Sequence, residues 1–261
     1  MPIPLSAALP LDYNCCICYI FTFITIIKNC TLANKFQEWY TEFSPRYQLT
    51  NHILTLGIDI YWRKNAAREA LNRGGTLCLD MCSGTGDFAQ EVLRQSNGDV
   101  TVFGADLTIG MLRHATEQIG TERFKPNVCE AGELPYRDNT FDFATIGFAT
   151  RNLNTSREDL VRRFGEVRRV LKPGGAFFNL ETSQPKYSPI RFLFHLFTRI
   201  VIGPIGGIVS GTPSAFKYLG HSMREFYNPQ ELADIFLEAG FSDVTFKQFT
   251  FGAAALHIAV K

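Results

Sequence analysis

The chain has 261 residues, 46% hydrophobic and 20% charged, the balance of a soluble globular protein with one large or two small domains. A formal net charge of +1 gives no reason to expect a nucleic-acid partner. The seven cysteines lack zinc-like spacing and form no disulfide framework, which suits a reducing cytosol and predicts no metal site.

Residues 1–30 differ from the rest. Tyr13–Ile27 carries no charge and is rich in Ile, Phe, Thr and Cys. It is shorter than the roughly 20 apolar residues of a spanning helix. It also lacks the Lys or Arg that precedes the apolar core of a secretory signal. Three explanations stand: a membrane-surface anchor, an element that packs on the body, or a start upstream of the working protein. From Leu32 to Asn72 the spacing predicts helix, interrupted at Ser44-Pro45 and Gly57. Trp39, Tyr40, Phe43, Tyr47, Leu49, Ile53 and Leu54 would line a pocket or pack on the sheet. Residues 31–261 then form one domain.

Leu77–Met81 reads as a short buried strand with Asp80 near its end, Ser83-Gly84-Thr85-Gly86 as a tight turn, and Asp87–Leu93 as the start of a helix. A strand, a glycine loop and a helix N-terminus make the usual mould for a nucleotide-like ligand. Gly84-x-Gly86-x-x-Ala89 also satisfies the dinucleotide fingerprint, so the charges decide. Between Gly75 and Arg94 there is no Lys or Arg, whereas Asp80, Asp87 and Glu91 are acidic. A pyrophosphate would be repelled and a sulfonium or ammonium attracted. The loop favours S-adenosylmethionine over NAD or ATP.

Strands are expected at Val100–Ala105, Val128–Ala131, Phe141–Phe148 and Ala176–Leu180, with a helix over Gly110–Gly120. Ser156, with Asp159 three residues on, caps a helix that Pro173-Gly174-Gly175 ends. Another helix runs from Pro229 to Ala239, with Asn228 before it and Gly240 after. Val244–Phe249 and Leu256–Val260 form a closing hairpin through the turn 250–254. The order predicts an α/β fold: a mostly parallel sheet with an antiparallel C-terminal hairpin and helices on both faces. The 23 Phe residues suit a Phe-rich core better than a greasy substrate.

Ligands of such sheets lie off the carboxyl ends of the strands. Asp106, about 20 residues past the glycines, is placed to accept ribose hydroxyls or to cap the next helix. Leu107 follows it. Glu130 and Ala131 would lie beside an adenine, and Glu133 is a ligand contact or a solvated loop charge. Ile190–Ile202 carries Arg191, His195 and Arg199 at spacing four on an otherwise apolar stretch. Its apolar face would line a lipid groove, touch a membrane surface, or be buried in a dimer interface.

The glycine loop, Gly104-Ala105-Asp106, Glu133-Leu134-Pro135-Tyr136 and Asp138–Asp142 resemble the motifs of class I, S-adenosylmethionine-dependent methyltransferases with a Rossmann-like sheet. Phe148-Ala149-Thr150-Arg151-Asn152-Leu153 resembles the Phe-Gly-x-Arg-Asn segment of the UbiE/MenG family, which C-methylates quinone-ring precursors. Arg168–Gly175, Glu181–Pro185, Tyr218–Arg224, Ala253–Ala259 and, upstream, Phe43–Asn51 with Leu56-Gly57 and Trp62-Arg63-Lys64 fit the same family. The resemblance covers about residues 35–261. Gln48, Gly147 and Glu130 depart from the residues usual there and weaken the transfer of an exact substrate.

The resemblance implies methyl transfer to a ring carbon of a polyprenylated quinol, demethylmenaquinol foremost, with a helical substrate insertion at about 186–222. It implies cofactor contacts at Asp80, Ser83, Gly84, Thr85, Gly86, Asp106, Leu107, Glu130, Ala131 and Gly147. Arg151 would stabilise a phenolate directly or through water, Asn152 would position that water, and Tyr47 would touch substrate or water. The plain alternative for Arg151 is an ion pair with Asp142 or Asp159. A greasy acceptor places the protein in the cytoplasm with peripheral contact at the inner face of the membrane. A ubiquinone-pathway acceptor, another small aromatic, a dinucleotide-dependent reductase, and a non-catalytic subunit that binds the cofactor are the competing functions.

Overall fold

Helix α1 (Ile58–Leu71) is entered through Gly57, whose φ of 75° suits glycine. A computed structural model describes His52, residues 54–211 and residues 213–261. The uncharged N-terminal stretch and Tyr47 lie outside the described residues.

Seven strands form one sheet: β1 (Leu77–Met81), β2 (Thr101–Asp106), β3 (Phe124–Val128), β4 (Phe141–Gly147), β5 (Leu171–Thr182), β6 (Asp243–Phe249) and β7 (Ala254–Val260). Their order is β3-β2-β1-β4-β5-β7-β6. The first five strands run parallel, β7 is antiparallel to β5, and β6 is antiparallel to β7. The expected hairpin is therefore present, with its second strand inserted beside β5. That insertion departs from the six-stranded 3-2-1-4-5-6 order of dinucleotide-binding folds.

Successive strand residues face opposite layers. Leu79, Phe103, Ala144 and Phe177 meet α5 (Arg157–Val170) and α9 (Pro229–Glu238) through Leu160, Phe164, Val167 and Phe236. Cys78, Val102, Phe143 and Phe178 meet α1, α2 (Asp87–Gln95) and α3 (Ile109–Ile119) through Ala66, Phe88, Val92 and Leu112. Phe164 and Phe236 stack with centroids 4.1 Å apart, joining α5 to α9. Most of the largest fully buried side chains are phenylalanines, so the Phe-rich core is real.

Both expected caps form. Ser156 Oγ accepts from the Asp159 amide at 3.1 Å. Asn228 and Glu231 complete a capping box, with Pro229 at the first helical position.

β2, β4 and β6 match expectation to within one residue and β7 begins two residues early, whereas two strands differ more. β3 is Phe124–Val128, not Val128–Ala131. Lys125 and Pro126 do not fit a buried apolar strand, but among the described strands β3 lies at the sheet edge beside β2, where an exposed charge and a proline are tolerated. β5 begins at Leu171, through Pro173-Gly174-Gly175, with a register irregularity opposite Phe141 and Phe143. Gly175 is required there, because a Cβ would stand 2.7 Å from the Asp142 carbonyl oxygen.

Between β5 and α9 lie α6 (Ser188–Phe197), a π-helical turn (Thr198–Ile202), α7 (Gly203–Ser210) and α8 (Pro213–Glu225), three residues beyond the expected insertion. Ile202, Phe216 and Met223 form a separate small core with Leu54. The upstream segment and the insertion therefore meet.

Candidate active site

Three strand ends converge on the glycine loop. The Ser83 amide donates to Ala105 O at 3.0 Å, and the Cys129 amide to Asp106 O at 3.1 Å. The two loop glycines do different work. A Cβ on Gly86 (φ 81°) would stand 2.7 Å from Ile119 Cδ1 and 2.9 Å from Ala115 Cβ, so glycine lets α2 pack on α3. A Cβ on Gly84 (φ 55°) would meet nothing closer than Met111 Cε at 3.7 Å, so the space on that side of its backbone is open to a ligand. Thr85 Oγ1 donates to Asp87 Oδ2 at 3.2 Å.

Asp80 is buried. It accepts from Ser83 Oγ and Thr145 Oγ1, each at 2.7 Å. Burial pushes its pKa up to about 6, against the pull of these bonds and of the Ala89 amide. Gly104 lies opposite Asp80 in the register, and a Cβ there would run into Phe124.

Asp106 accepts from the Gly84 amide at 2.9 Å and the Thr108 amide at 2.8 Å, so it braces the loop and the start of α3 together. Burial raises its pKa as well. Among the described residues neither Asp80 nor Asp106 has an ion-pair partner. Leu107 follows, half-buried.

Asp87 is different. Arg63 Nη2 of α1 comes within 3.8 Å of its Oδ2. The cation missing from the loop's own stretch of sequence arrives from α1, well upstream, while Asp80 and Asp106 have no ion-pair partner among the described residues.

Glu130 lies beyond the end of β3, where it accepts from the Gly132 amide and faces Arg163 Nε at 3.3 Å. Ala131 is buried beside it and Glu133 is exposed. Gly147, at the end of β4, is crowded by Phe88: a Cβ would stand 3.0 Å from Phe88 Cδ1.

Arg151 and Asn152 sit on a single helical turn, α4 (Thr150–Leu153), just past β4. Arg151 is paired with neither Asp142 nor Asp159. Asp142 takes Lys172 at 2.5 Å and Asp159 takes Arg162 at 3.4 Å. The Arg151 guanidinium instead meets Glu181 at the end of β5, and both side chains are buried. Glu181 also accepts from the Thr182 amide at 2.7 Å. Thr150 Oγ1 donates to Asn179 Oδ1 at 2.6 Å and pins the turn to β5. Tyr218 of α8 lies near enough for the Arg151 charge to oppose the upward push of burial on its hydroxyl.

Glu181 and Arg63 stand inside the family-like motifs, but the sequence assigns neither a role. A lone carboxylate closing the strand Ala176–Leu180, apolar but for Asn179, signals a buried charge that must find a partner. Nothing comparable marks Arg63. Among the described residues the donor set offers an open glycine backbone and two carboxylates without an ion-pair partner, and the glycine loop itself carries no Lys or Arg. It fits a ligand with a ribose and a cationic group.

The sequence model of the ubiE/COQ5 methyltransferase family matches residues 29–261. The chain is 33% identical over 238 residues to a demethylmenaquinone methyltransferase of Lactiplantibacillus plantarum, covering 88% of this chain and 99% of that protein. It is 34% identical to a ubiquinone/menaquinone biosynthesis C-methyltransferase UbiE of Desulfotalea psychrophila, covering 86% and 89%. Among solved structures, human N-acetylserotonin methyltransferase in complex with SAM superposes with a TM-score of 0.57 at 16% identity, over 83% of this chain and 55% of that one.

Proposed function

The chain belongs to the ubiE/COQ5 methyltransferase family, and from that premise we propose that it methylates a ring carbon of a polyprenylated quinol, using S-adenosylmethionine, with demethylmenaquinol the favoured acceptor. The observation that carries this reading is the match over nearly the whole chain to relatives named for that reaction. The acidic glycine loop agrees with it independently. The name of the Desulfotalea relative supports a ubiquinone precursor as the second acceptor.

S-adenosylmethionine, when bound, would supply a methyl group whose bond to the sulfonium breaks to leave a neutral thioether, while a ring carbon of the deprotonated quinol takes the methyl and gives up its own hydrogen as a proton to water. The chain's own task is to hold the two in line and exclude water. Gly84 presents backbone to the donor. Asp106 has lone pairs left for ribose hydroxyls, beside Leu107 and Ala131. Asp80 holds Ser83 and keeps a negative field under the loop, with Thr85 and Gly86 shaping its far side. Glu130 and Gly147 border the pocket. Arg151 stabilises the phenolate oxygen and Asn152 positions a water or the hydroxyl itself. Tyr47 is assigned to the acceptor side by the family resemblance alone.

The acceptor's tail requires an apolar path. The small core joining Leu54 to Ile202, Phe216 and Met223 closes one side of such a path. Outside it, Phe192, Leu193, Ile200 and Ile208 are exposed, while His195 turns inward to Gln184 Oε1 at 2.8 Å. Ser188–Val209 is long and apolar enough to cross a membrane by length and composition. The Gln184–His195 bond and the Arg224–Thr198 bond at 3.4 Å hold it along the body instead. This supports peripheral contact with the cytoplasmic face of a membrane. A homodimer burying the same helix is the competing use, and liposome flotation beside size-exclusion chromatography separates the two.

The deciding assay supplies labelled S-adenosylmethionine with the two demethylated quinols in turn. Label in the menaquinol ring is the expected result. Transfer to neither overturns the reading, and transfer to the benzoquinol alone selects the second one.

A further inference from the structure

Arg63 lies on α1, outside the glycine loop and the Arg151 turn, yet it touches the element next to each. Its guanidinium pairs with Asp59 on its own helix. It also reaches Asp87 Oδ2 at 3.8 Å and lies over the Phe148 ring, with Cζ 5.0 Å from the centroid. Asp87 is the first residue of α2, directly after the glycine loop. Phe148 stands between the end of β4 and the turn that carries Arg151 and Asn152.

Phe148 is held in an uncommon state. Its φ is 57°, a left-handed conformation that disfavours a bulky aromatic residue and persists only where the surroundings impose it. Its amide donates to Leu180 O at 2.8 Å. Its ring is held by Arg63 and by Trp62, whose ring centroid is 5.9 Å away. Trp62 is itself anchored by its Nε1, which donates to Thr250 Oγ1 at 3.0 Å. A planar guanidinium can pair with carboxylates through its edge while its face lies on a ring, whereas an ammonium is a compact, strongly hydrated point charge without that fork. Asp59 keeps the guanidinium in place, being itself bonded by Thr55 Oγ1 at 2.6 Å and His52 Nδ1 at 2.8 Å.

We infer that Arg63 is a positioning residue that holds Phe148 in its left-handed conformation and so aims the Arg151–Asn152 turn, while its contact with Asp87 keeps that turn in register with the glycine loop. In its kinetic arm the inference rests on the quinol methyltransferase reading. In its structural arm it stands alone.

The test compares Arg63→Ala, Arg63→Lys and the double variant Arg63→Ala/Phe148→Gly with the full chain. A glycine adopts a positive φ without support, so it should restore the turn once the clamp is gone. Hydrogen exchange of the amides of residues 149–153 should accelerate in Arg63→Ala and slow again in the double variant. The kcat should fall by about tenfold or more in Arg63→Ala, while the donor Kd by calorimetry changes less than about threefold. Arg63→Lys should not rescue, and the double variant should recover much of the loss.

Wild-type exchange and kcat in Arg63→Ala overturn the inference. So does a double variant that recovers neither, because Arg63 would then serve only the fold of α1. Arg63→Gln, which keeps a donor for Asp59, carries the same comparison if Arg63→Ala does not fold. If the wild-type protein methylates neither quinol, the functional reading falls and the exchange data still decide the clamp.

Discussion

Arg151 and Glu181 form an ion pair whose side chains are 5% and 1% exposed. Arg151 follows β4 and Glu181 is the penultimate residue of β5, and the parallel register of Gly147 with Leu180 brings the two together. The charge proposed to meet a phenolate is thus itself paired with a buried carboxylate. Glu181 holds the guanidinium, and the family resemblance supplies the acceptor it would face.

Removing one member of such a pair leaves a buried charge uncompensated. Arg151→Ala should therefore lower stability by about 3–5 kcal/mol in urea unfolding at pH 7, so lost turnover in that variant would not by itself prove a chemical role. Arg151→Lys keeps the charge and should keep most of the stability. Its kcat should still drop by about tenfold or more, since an ammonium lacks the fork of N–H donors. Full turnover in Arg151→Lys would show that the positive charge, not the guanidinium fork, serves the reaction.

Asp80 should make donor binding pH-dependent. Its pKa of about 6 in the folded protein means that it takes up a proton as the pH falls below neutrality, and its pull on a cationic ligand goes with it. Calorimetry with S-adenosylmethionine should show affinity falling between pH 7 and pH 5, by about tenfold at most. In Asp80→Asn the affinity should be weak and flat over that range. For folding the sign is opposite. A carboxyl raised above its unfolded value contributes stability that is present at acid pH and lost as the pH rises through about 6.

His257 acts the other way. It is buried, its Nε2 lies 2.8 Å from Pro229 O, and burial lowers its pKa to about 4. Between pH 6.5 and 4 the unfolded chain binds a proton there that the folded protein does not, so this residue's contribution declines as the pH falls. His257→Gln should flatten that decline, as chemical denaturation at pH 7, 6 and 5 would reveal. An unchanged slope would mean that His257 titrates normally in the folded state.

Gly86→Ala should cost more than Gly98→Ala. Both glycines have positive φ, 81° and 102°, so both variants carry backbone strain of about 1 kcal/mol. A Cβ at Gly98 meets nothing, whereas at Gly86 it overlaps Ile119 and Ala115. The extra cost at Gly86 should be about 1–3 kcal/mol, with weaker donor binding as α2 shifts. Equal melting temperatures for the two variants would contradict the packing role.

Elements with local punctuation are legible in the amino acids alone. Leu77–Met81 is β1 to the residue, and Ser156 and Asn228-Pro229 start α5 and α9 where their caps predict. Each signal lies within a few positions of the element it marks, where chain geometry imposes it whatever the tertiary context. β3 is not legible in this way. A proline and a lysine are legal only on an edge strand, and edge status belongs to the sheet, not to the five residues themselves.

The donor site divides along the same line. Glycines that need positive φ, with Asp80 and Asp106 at strand ends, point to the ligand from the amino acids alone, because conformational permission and charge sign are properties of residue type. Who neutralises whom is not. Arg151 lies 30 positions from Glu181. Arg63 is likewise remote in sequence from the elements it braces. No periodicity couples such positions. Only the closing of β4 against β5 and of α1 against the sheet placed these charges within reach, and Coulomb attraction in a buried site acts on distance in space alone.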